Sequence, residues 1–233
     1  LPVAPATKSL YSYQLAAVET ILTHRRTVLG LQPGMGKTAV MQAVAAAIAA
    51  QGQRTIVVVP PSLRLSPWTH EFAADYPTLA VSVVEGQKAA AIDAAAQVVI
   101  VGDSVLSHRA DDLIAWGASA VMVDEAHRMK SRTAKRSQAL VALTDSLPQD
   151  ATVVLATGTV AVNHAGDLYM PLRAAGTRVA TAVSGGPSWT RYMAAWCTTE
   201  TVWTGRANVQ VVTGCSDPEG LRERLLSTCM VSV

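Results

Sequence analysis

The sequence predicts an α/β domain: a parallel sheet with helices on both faces, followed by a small irregular C-terminal segment. Three observations carry that expectation. Short, near-continuously apolar runs recur at residues 28–31, 55–59, 81–84, 98–101, 120–123 and 152–156, as in strands buried on both faces. Helix-forming stretches separate these runs, which is the alternation of a parallel sheet. A glycine-rich turn, Gly34-Met35-Gly36-Lys37-Thr38, joins the first run to a strong helix former at residues 39–45.

Taken in order, residues 1–9 are rich in Pro, Ala and Thr and read as extended. Residues 15–22 read as an amphipathic helix, with Tyr13 and Gln14 at its start. The run at 55–59 stops at Pro60-Pro61, since proline cannot donate to a ladder. An alanine-rich helix is expected over 88–96, ahead of the strand at 98–101. The strand at 120–123 runs directly into Asp124-Glu125, and 152–156 is the last clear strand. Near residue 176 the alternation stops. Residues 180–187 are Gly/Ser-rich, and Trp189, Trp196 and Trp203 then read as core residues of a small appendage packed on the sheet domain. The expected organisation is a lobe over residues 1–175 and an accessory segment over 176–233.

Half of the 233 residues are hydrophobic and 15% are charged, enough for a sizeable core and unlike a disordered chain. The net charge of +2 says little about partners, so local clustering matters more. Three cysteines (Cys197, Cys215, Cys229) without a C-x-x-C, and five histidines without ligand spacing, argue against a disulfide framework or zinc site. There is no signal peptide and no 18-residue apolar run, so a cytoplasmic protein is expected. The chain begins at Leu1 and stops at Val233 straight after an apolar segment, which reads as a piece of something longer.

The chemistry concentrates at two places. At a strand-to-helix turn, the backbone N–H groups of Gly34, Met35, Gly36, Lys37, Thr38 and Ala39 can wrap a phosphate, because the helix N-terminus favours negative charge. Lys37 would reach the β- and γ-phosphates, and the Thr38 hydroxyl would ligate Mg²⁺. Further along the chain, at the end of the apolar run 120–123, Asp124 and Glu125 supply an acid for Mg²⁺ and a base for the attacking water. They stand at a strand's C-terminal end, where open α/β sheets bind ligands.

Further stretches fall in a set order. Residues 10–14 (Leu-Tyr-Ser-Tyr-Gln) precede the glycine turn; Val59-Pro60-Pro61-Ser62-Leu63-Arg64 leads to Trp68, Glu71 and Phe72; Asp124-Glu125-Ala126-His127 is followed by Arg128-Met129-Lys130-Ser131; and Ala156-Thr157-Gly158-Thr159-Val160 precedes Asn163. This ordered set resembles the first RecA-like lobe of a superfamily-two helicase, a P-loop NTPase fold. Within that group it resembles the Swi/Snf-like DNA translocases, nearest to annealing-helicase-like relatives. The weaker tail match involves Trp189, Arg191, Tyr192, Trp203, Gly205 and residues 221–226. Leu31-Gln32-Pro33 stands where the family has an acidic D-E-x, and Val160 where it has proline; neither position does chemistry.

The resemblance implies ATP and Mg²⁺ as cofactors, with Gln14 reading the adenine edge. Lys37 would hold phosphate, Thr38 and Asp124 the metal, and Glu125 would polarise water. His127, Thr157 and Thr159 would couple the nucleotide to nucleic acid, and Ser62 and Arg64 would meet one DNA strand. Arg128, Lys130, Arg132, Lys135 and Arg136 put five cations in nine residues without an acid, either a solvated basic helix face or a phosphate-tracking surface. The implied partners are duplex or branched DNA, bound without sequence readout, and a second RecA-like lobe, of which residues after 176 show no parallel-sheet unit. A nucleoid-associated location follows for a bacterial or phage source. The alternatives are an RNA or restriction-type motor and a nucleotide-gated scaffold.

Overall fold

A computed structural model describes residue 7 and residues 9–61, 68–86, 91–158 and 162–232. The chain runs α1 (Ser12–His24), β1 (Arg26–Gly30), α2 (Lys37–Ala49), β2 (Thr55–Val59), α3 (Trp68–Asp75), β3 (Val81–Val84), β4 (Val98–Gly102), α4 (Leu106–Trp116) and β5 (Ala120–Val123). A 3₁₀ turn (Ala126–Met129) leads to α5 (Lys135–Asp145) and β6 (Thr152–Thr157), and a second (Val162–Leu168) leads to α6 (Tyr169–Ala175). Then come α7 (Thr177–Ser184), α8 (Trp189–Trp196), β7 (Cys197–Trp203), β8 (Asn208–Cys215), α9 (Pro218–Thr228) and β9 (Met230–Ser232).

Seven strands form one parallel sheet in the order β3-β4-β2-β5-β6-β1-β9, and β7-β8 form a separate antiparallel hairpin. The period of two divides each strand between two apolar clusters. Leu29, Val57, Val59, Ile100, Met122 and Val154 face α1, α2 and α3. Val28, Ile56, Val58, Val99, Val121 and Leu155 face the opposite layer, with Leu113, Leu140, Leu172, Val179 and Leu225. Each such fully buried aliphatic contributes roughly 1.5–3 kcal/mol relative to exposure. Helix α2 is buried on nearly all sides, from Ala39 to Ala49. Its alanines let it lie between α1 and the sheet at close range.

The expected helix over 88–96 is not formed in its described part, residues 91–96; residues 87–90 lie outside the described residues. Alanine propensity loses there to local polar chemistry. The Asp93 carboxylate accepts the Ala95 N–H at 2.9 Å, while Asp93 O takes the Trp116 indole N–H at 3.0 Å and Ala94 O the Arg54 guanidinium at 2.8 Å. Side chains that satisfy the backbone locally compete with a helix.

After residue 176 the βα alternation does stop, yet the segment is knitted into the lobe. Val179, Val183, Leu221 and Leu225 share the α4/α5-side cluster, and β9 pairs in parallel with β1 as the sheet's seventh strand. Trp189 and Trp196 are half-buried against that cluster. Trp203 corrects the expectation of core aromatics, because it is 62% exposed near the hairpin tip.

Candidate nucleotide site and nucleic-acid interface

β1 delivers the chain to the glycine turn, and α2 leaves it. Gly34 (φ 83°) and Gly36 (φ 74°) adopt left-handed conformations open to glycine without steric cost. A Cβ on Gly36 would run into the Gln14 amide nitrogen, so Gln14 forms one wall of the turn. Gln14 is buried; its Nε2 donates to Met35 O at 3.2 Å and its Oε1 accepts the Tyr11 N–H at 3.0 Å. The Tyr13 hydroxyl donates to the same Met35 carbonyl at 3.3 Å. One donor and one acceptor of the Gln14 amide remain after these bonds.

Lys37 opens α2 and is buried, its ammonium donating to Leu31 O at 3.1 Å. Among the described residues no carboxylate lies within ion-pair distance of it. A buried ammonium beside a helix N-terminus, bonded to a neutral carbonyl, suits an anionic ligand. Thr38 follows, half-buried.

The acids stand at the end of β5. Because β6 lies between β5 and β1, the acids stand two strand spacings, about 9.5 Å, from the strand that leads into the glycine turn. β6 ends at Thr157, and a Cβ on the following Gly158 would sit 3.4 Å from Lys37 Nζ. Asp124 is 7% exposed; its Oδ2 accepts the Trp68 indole N–H at 3.1 Å and its Oδ1 the Glu125 N–H at 3.0 Å. Burial raises its carboxyl above the ordinary aspartate range; the Trp68 bond opposes this, Glu125 adds to it, and Lys37 again opposes it. Glu125 itself is left-handed (φ 50°, ψ 52°), a conformation costing about 1–3 kcal/mol for a non-glycine residue. The turn separates the two acids: Asp124 points to Trp68, and Glu125 is one-third exposed with its Oε2 3.1 Å from His127 Nδ1.

The Thr38 hydroxyl and the Asp124 carboxylate are the kinds of oxygen donor that Mg²⁺, which keeps several waters, takes from a protein. Sequence reasoning noted Trp68 only as part of a family pattern; its indole is the group that orients Asp124. A fully buried tryptophan needs a partner for its N–H, which was the available signal, but the partner stood 56 positions away.

His127 and Thr157 line one cavity of about 180 Å³, with Lys130 and Asp167 at its polar edge. Ser62, Arg64 and Thr159 fall outside the described residues. The five-cation run is no single helix face: it spans the 3₁₀ turn, a loop and the start of α5. Arg128 is 2.6 Å from the buried Asp103, a bond that holds its guanidinium pKa above the usual value. Lys130 pairs with Asp167 at 2.9 Å, and Arg132 lies over the Trp189 ring at 4.6 Å. Arg136 donates to Arg128 O at 3.2 Å. Lys135 is exposed, with no ion-pair partner among the described residues.

The profile of the SNF2-related domain matches residues 13–185. The chain belongs to the SNF2-related domain family. It is 27% identical over 213 residues to the DNA annealing helicase and endonuclease ZRANB3 of Bos taurus, covering 88% of this chain and 19% of that protein. The Mus musculus protein of the same name is 30% identical over 156 residues, covering 64% of this chain and 14% of its own length. The chain thus spans about a fifth or less of these SNF2-related proteins. Among solved structures, the Sulfolobus solfataricus SWI2/SNF2 ATPase core in complex with dsDNA matches all of this chain and 46% of its own, with a TM-score of 0.77 and 18% identity. That likeness is one of fold, a RecA-like lobe. No helix among the described residues is long and apolar enough to cross a membrane.

Proposed function

We propose that this SNF2-related chain is the ATP-binding lobe of a Swi/Snf-type motor that couples ATP hydrolysis to movement on DNA. One observation carries the reading: Lys37, which opens α2 after β1, and Asp124, at the end of β5, are both buried, and the Lys37 charge acts on the Asp124 carboxyl, with Glu125 one-third exposed beside it. Backbone N–H groups of the glycine turn and Lys37 would bind the β- and γ-phosphates. Thr38 and Asp124 would hold Mg²⁺, which when bound neutralises charge on the phosphate oxygens. Glu125 would accept a proton from the attacking water. Its contact with His127 gives the base a neighbour on the cavity shared with Thr157, a short route from nucleotide to DNA surface. The remaining donor and acceptor of Gln14 suit an adenine edge. Thr159, Ser62 and Arg64 keep the coupling and strand-contact roles the resemblance implies.

We read residues 1–175 as the nucleotide-binding lobe and 176–233 as an accessory segment that lends it an edge strand and a hairpin. DNA is the proposed partner, held through its backbone by Arg132 and Lys135 foremost, together with a second RecA-like lobe. Arginine fingers from a second lobe are worth on the order of 10³–10⁵ in rate in other NTPases, so residues 1–233 alone should turn over slowly. The test is ATP turnover by the full-length protein with and without duplex DNA, single-stranded DNA and RNA. Stimulation by duplex DNA that disappears in Glu125→Gln supports the motor. Nucleotide binding without turnover on any nucleic acid refutes it in favour of a switch.

A further inference from the structure

The β7–β8 hairpin is rooted on the α4/α5-side cluster through Cys197 and Cys215 and runs out from it. Its strand residues are exposed from Thr198 to Trp203 and from Asn208 to Val211. Its tip is a closed turn, in which the Thr204 N–H and hydroxyl both donate to Ala207 O at 3.0 Å. Next to that turn Trp203 leaves 62% of its surface in water, and Arg206 at the tip is exposed.

The two faces of the ribbon differ. Pairing Thr199 with Val212, Thr201 with Gln210 and Trp203 with Asn208 puts these six residues on one face. The hairpin's acid, Glu200, pairs with Val211 on the other. The foot of the first face borders an open cleft of about 300 Å³, lined by Val212 together with Trp189, Lys130, Arg132 and Thr133, with Asp167 bound to Lys130. The face that carries Trp203 therefore starts at the cations following the acid pair. Four residues of strand separate Thr199 from Trp203, about 14 Å, which corresponds to about four base steps along a DNA strand.

We propose that this face is a nucleic-acid contact in which Trp203 stacks on an unpaired DNA base while Arg132 at the foot holds the phosphates. The inference rests on the DNA-motor reading and adds to it a residue that distinguishes single-stranded from paired DNA. The chemistry selects this occupant. An aromatic ring supplies stacking to any base, Thr201, Asn208 and Gln210 supply neutral hydrogen bonding, and both ends of the face carry cations while the acid faces away. A base pair inside a duplex has both π-faces stacked on its neighbours, so the body of a duplex engages only the foot.

The test uses the full-length protein and labelled oligonucleotides: a blunt duplex, and the same duplex with a single-stranded tail. Wild type is expected to prefer the tailed substrate. Trp203→Ala should weaken tailed-DNA binding roughly tenfold and blunt-duplex binding far less, while Trp203→Phe should retain most of the preference. Equal losses on both substrates, or none on either, overturn the hairpin proposal and leave the motor reading standing. A changed sedimentation coefficient in Trp203→Ala with tailed-DNA affinity intact also overturns it, because the face then belongs to a protein contact. If wild type binds neither DNA, the proposal and the motor reading fall together.

Discussion

The Trp68 indole donates a hydrogen bond to Asp124 Oδ2 across 3.1 Å, and both side chains are buried. The start of α3 thereby fixes the rotamer of the carboxylate at the end of β5. Outer partners of this kind typically matter 10–100-fold to metal affinity or activity. Trp68→Phe should keep the packing with Phe72 yet lower ATP turnover of the full-length protein roughly tenfold. A Mg²⁺ titration should show the loss partly recovered at high metal concentration. An unchanged titration would mean that the indole only fills space.

Asp124 sits where its charge costs folding free energy. Burial raises its folded pKa above the unfolded value, so between those two values the native state holds more protons than the unfolded one. The stability of the metal-free protein therefore falls as pH rises through that window, and the penalty persists at neutral pH. Asp124→Asn should abolish turnover and flatten this pH dependence of urea unfolding, because the amide carries no charge; its single acceptor oxygen cannot serve both the Trp68 and the Glu125 N–H, so stability should not rise. A pH dependence unchanged in Asp124→Asn would show that another group carries it.

Gln42 is fully buried on α2, and neither its amide nitrogen nor its oxygen has a partner among the described residues. Orphaned polar atoms of this kind cost about 1–3 kcal/mol. Gln42→Met, close in volume, is expected to stabilise the fold by about 1–2 kcal/mol in chemical denaturation.

Cys197 and Cys215 face each other at the root of the hairpin. The neighbouring Ser216 N–H donates to Trp196 O at 3.0 Å, which makes the cysteines a non-hydrogen-bonded pair with Cα atoms about 4.5 Å apart, within disulfide reach. Burial, with a smaller contribution from Cys215, pushes the Cys197 thiol up to about 11, and burial alone pushes Cys229 up to about 12. Iodoacetamide should label Cys197 slowly at neutral pH and roughly tenfold faster per pH unit up to that value. Oxidised glutathione at alkaline pH should join Cys197 to Cys215 by two successive thiolate attacks, releasing two reduced glutathiones. Mass spectrometry reads the loss of two hydrogens; a retained mass would contradict the strand register.

The cation run makes a prediction through salt. Lys135→Ala should reduce the slope of log affinity for duplex DNA against log salt by about one. Arg128→Ala should also destabilise the fold, since it strands Asp103, which is 2% exposed. A Lys135→Ala slope equal to wild type would remove that residue from the phosphate surface.

Much of this was legible from residue order. Strands β1, β2, β4, β5 and β6 announce themselves as near-continuous apolar runs because both of their faces are buried. The glycine turn and the acid pair fall at strand ends, where local spacing is enough to find them. Pairings at long range were not legible. Asp103 beneath Arg128, Asp167 beside Lys130 and Trp189 under Arg132 come from distant stretches, so the run looked like five equivalent cations. Trp203 was misread because composition carries no direction: its strand pairs only within a hairpin, and no layer covers it. The helix expected over 88–96 is not formed at residues 91–96, where it loses to Asp93, whose carboxylate a propensity scale does not place.

The position of β1 has a consequence for how the protein is made. Val28 pairs with Leu155 on one side and Met230 on the other, partners from the middle and the far end of the chain. Such distant pairings close late, because loop entropy is lost before contacts repay it. On the ribosome, β1 therefore emerges first among the strands and waits with both edges open until β6 and then β9 arrive. The glycine turn hangs from this strand, so nucleotide binding should be among the last properties a nascent chain acquires. The open edges of β1 mark the stage at which a stalled chain is most prone to aggregate.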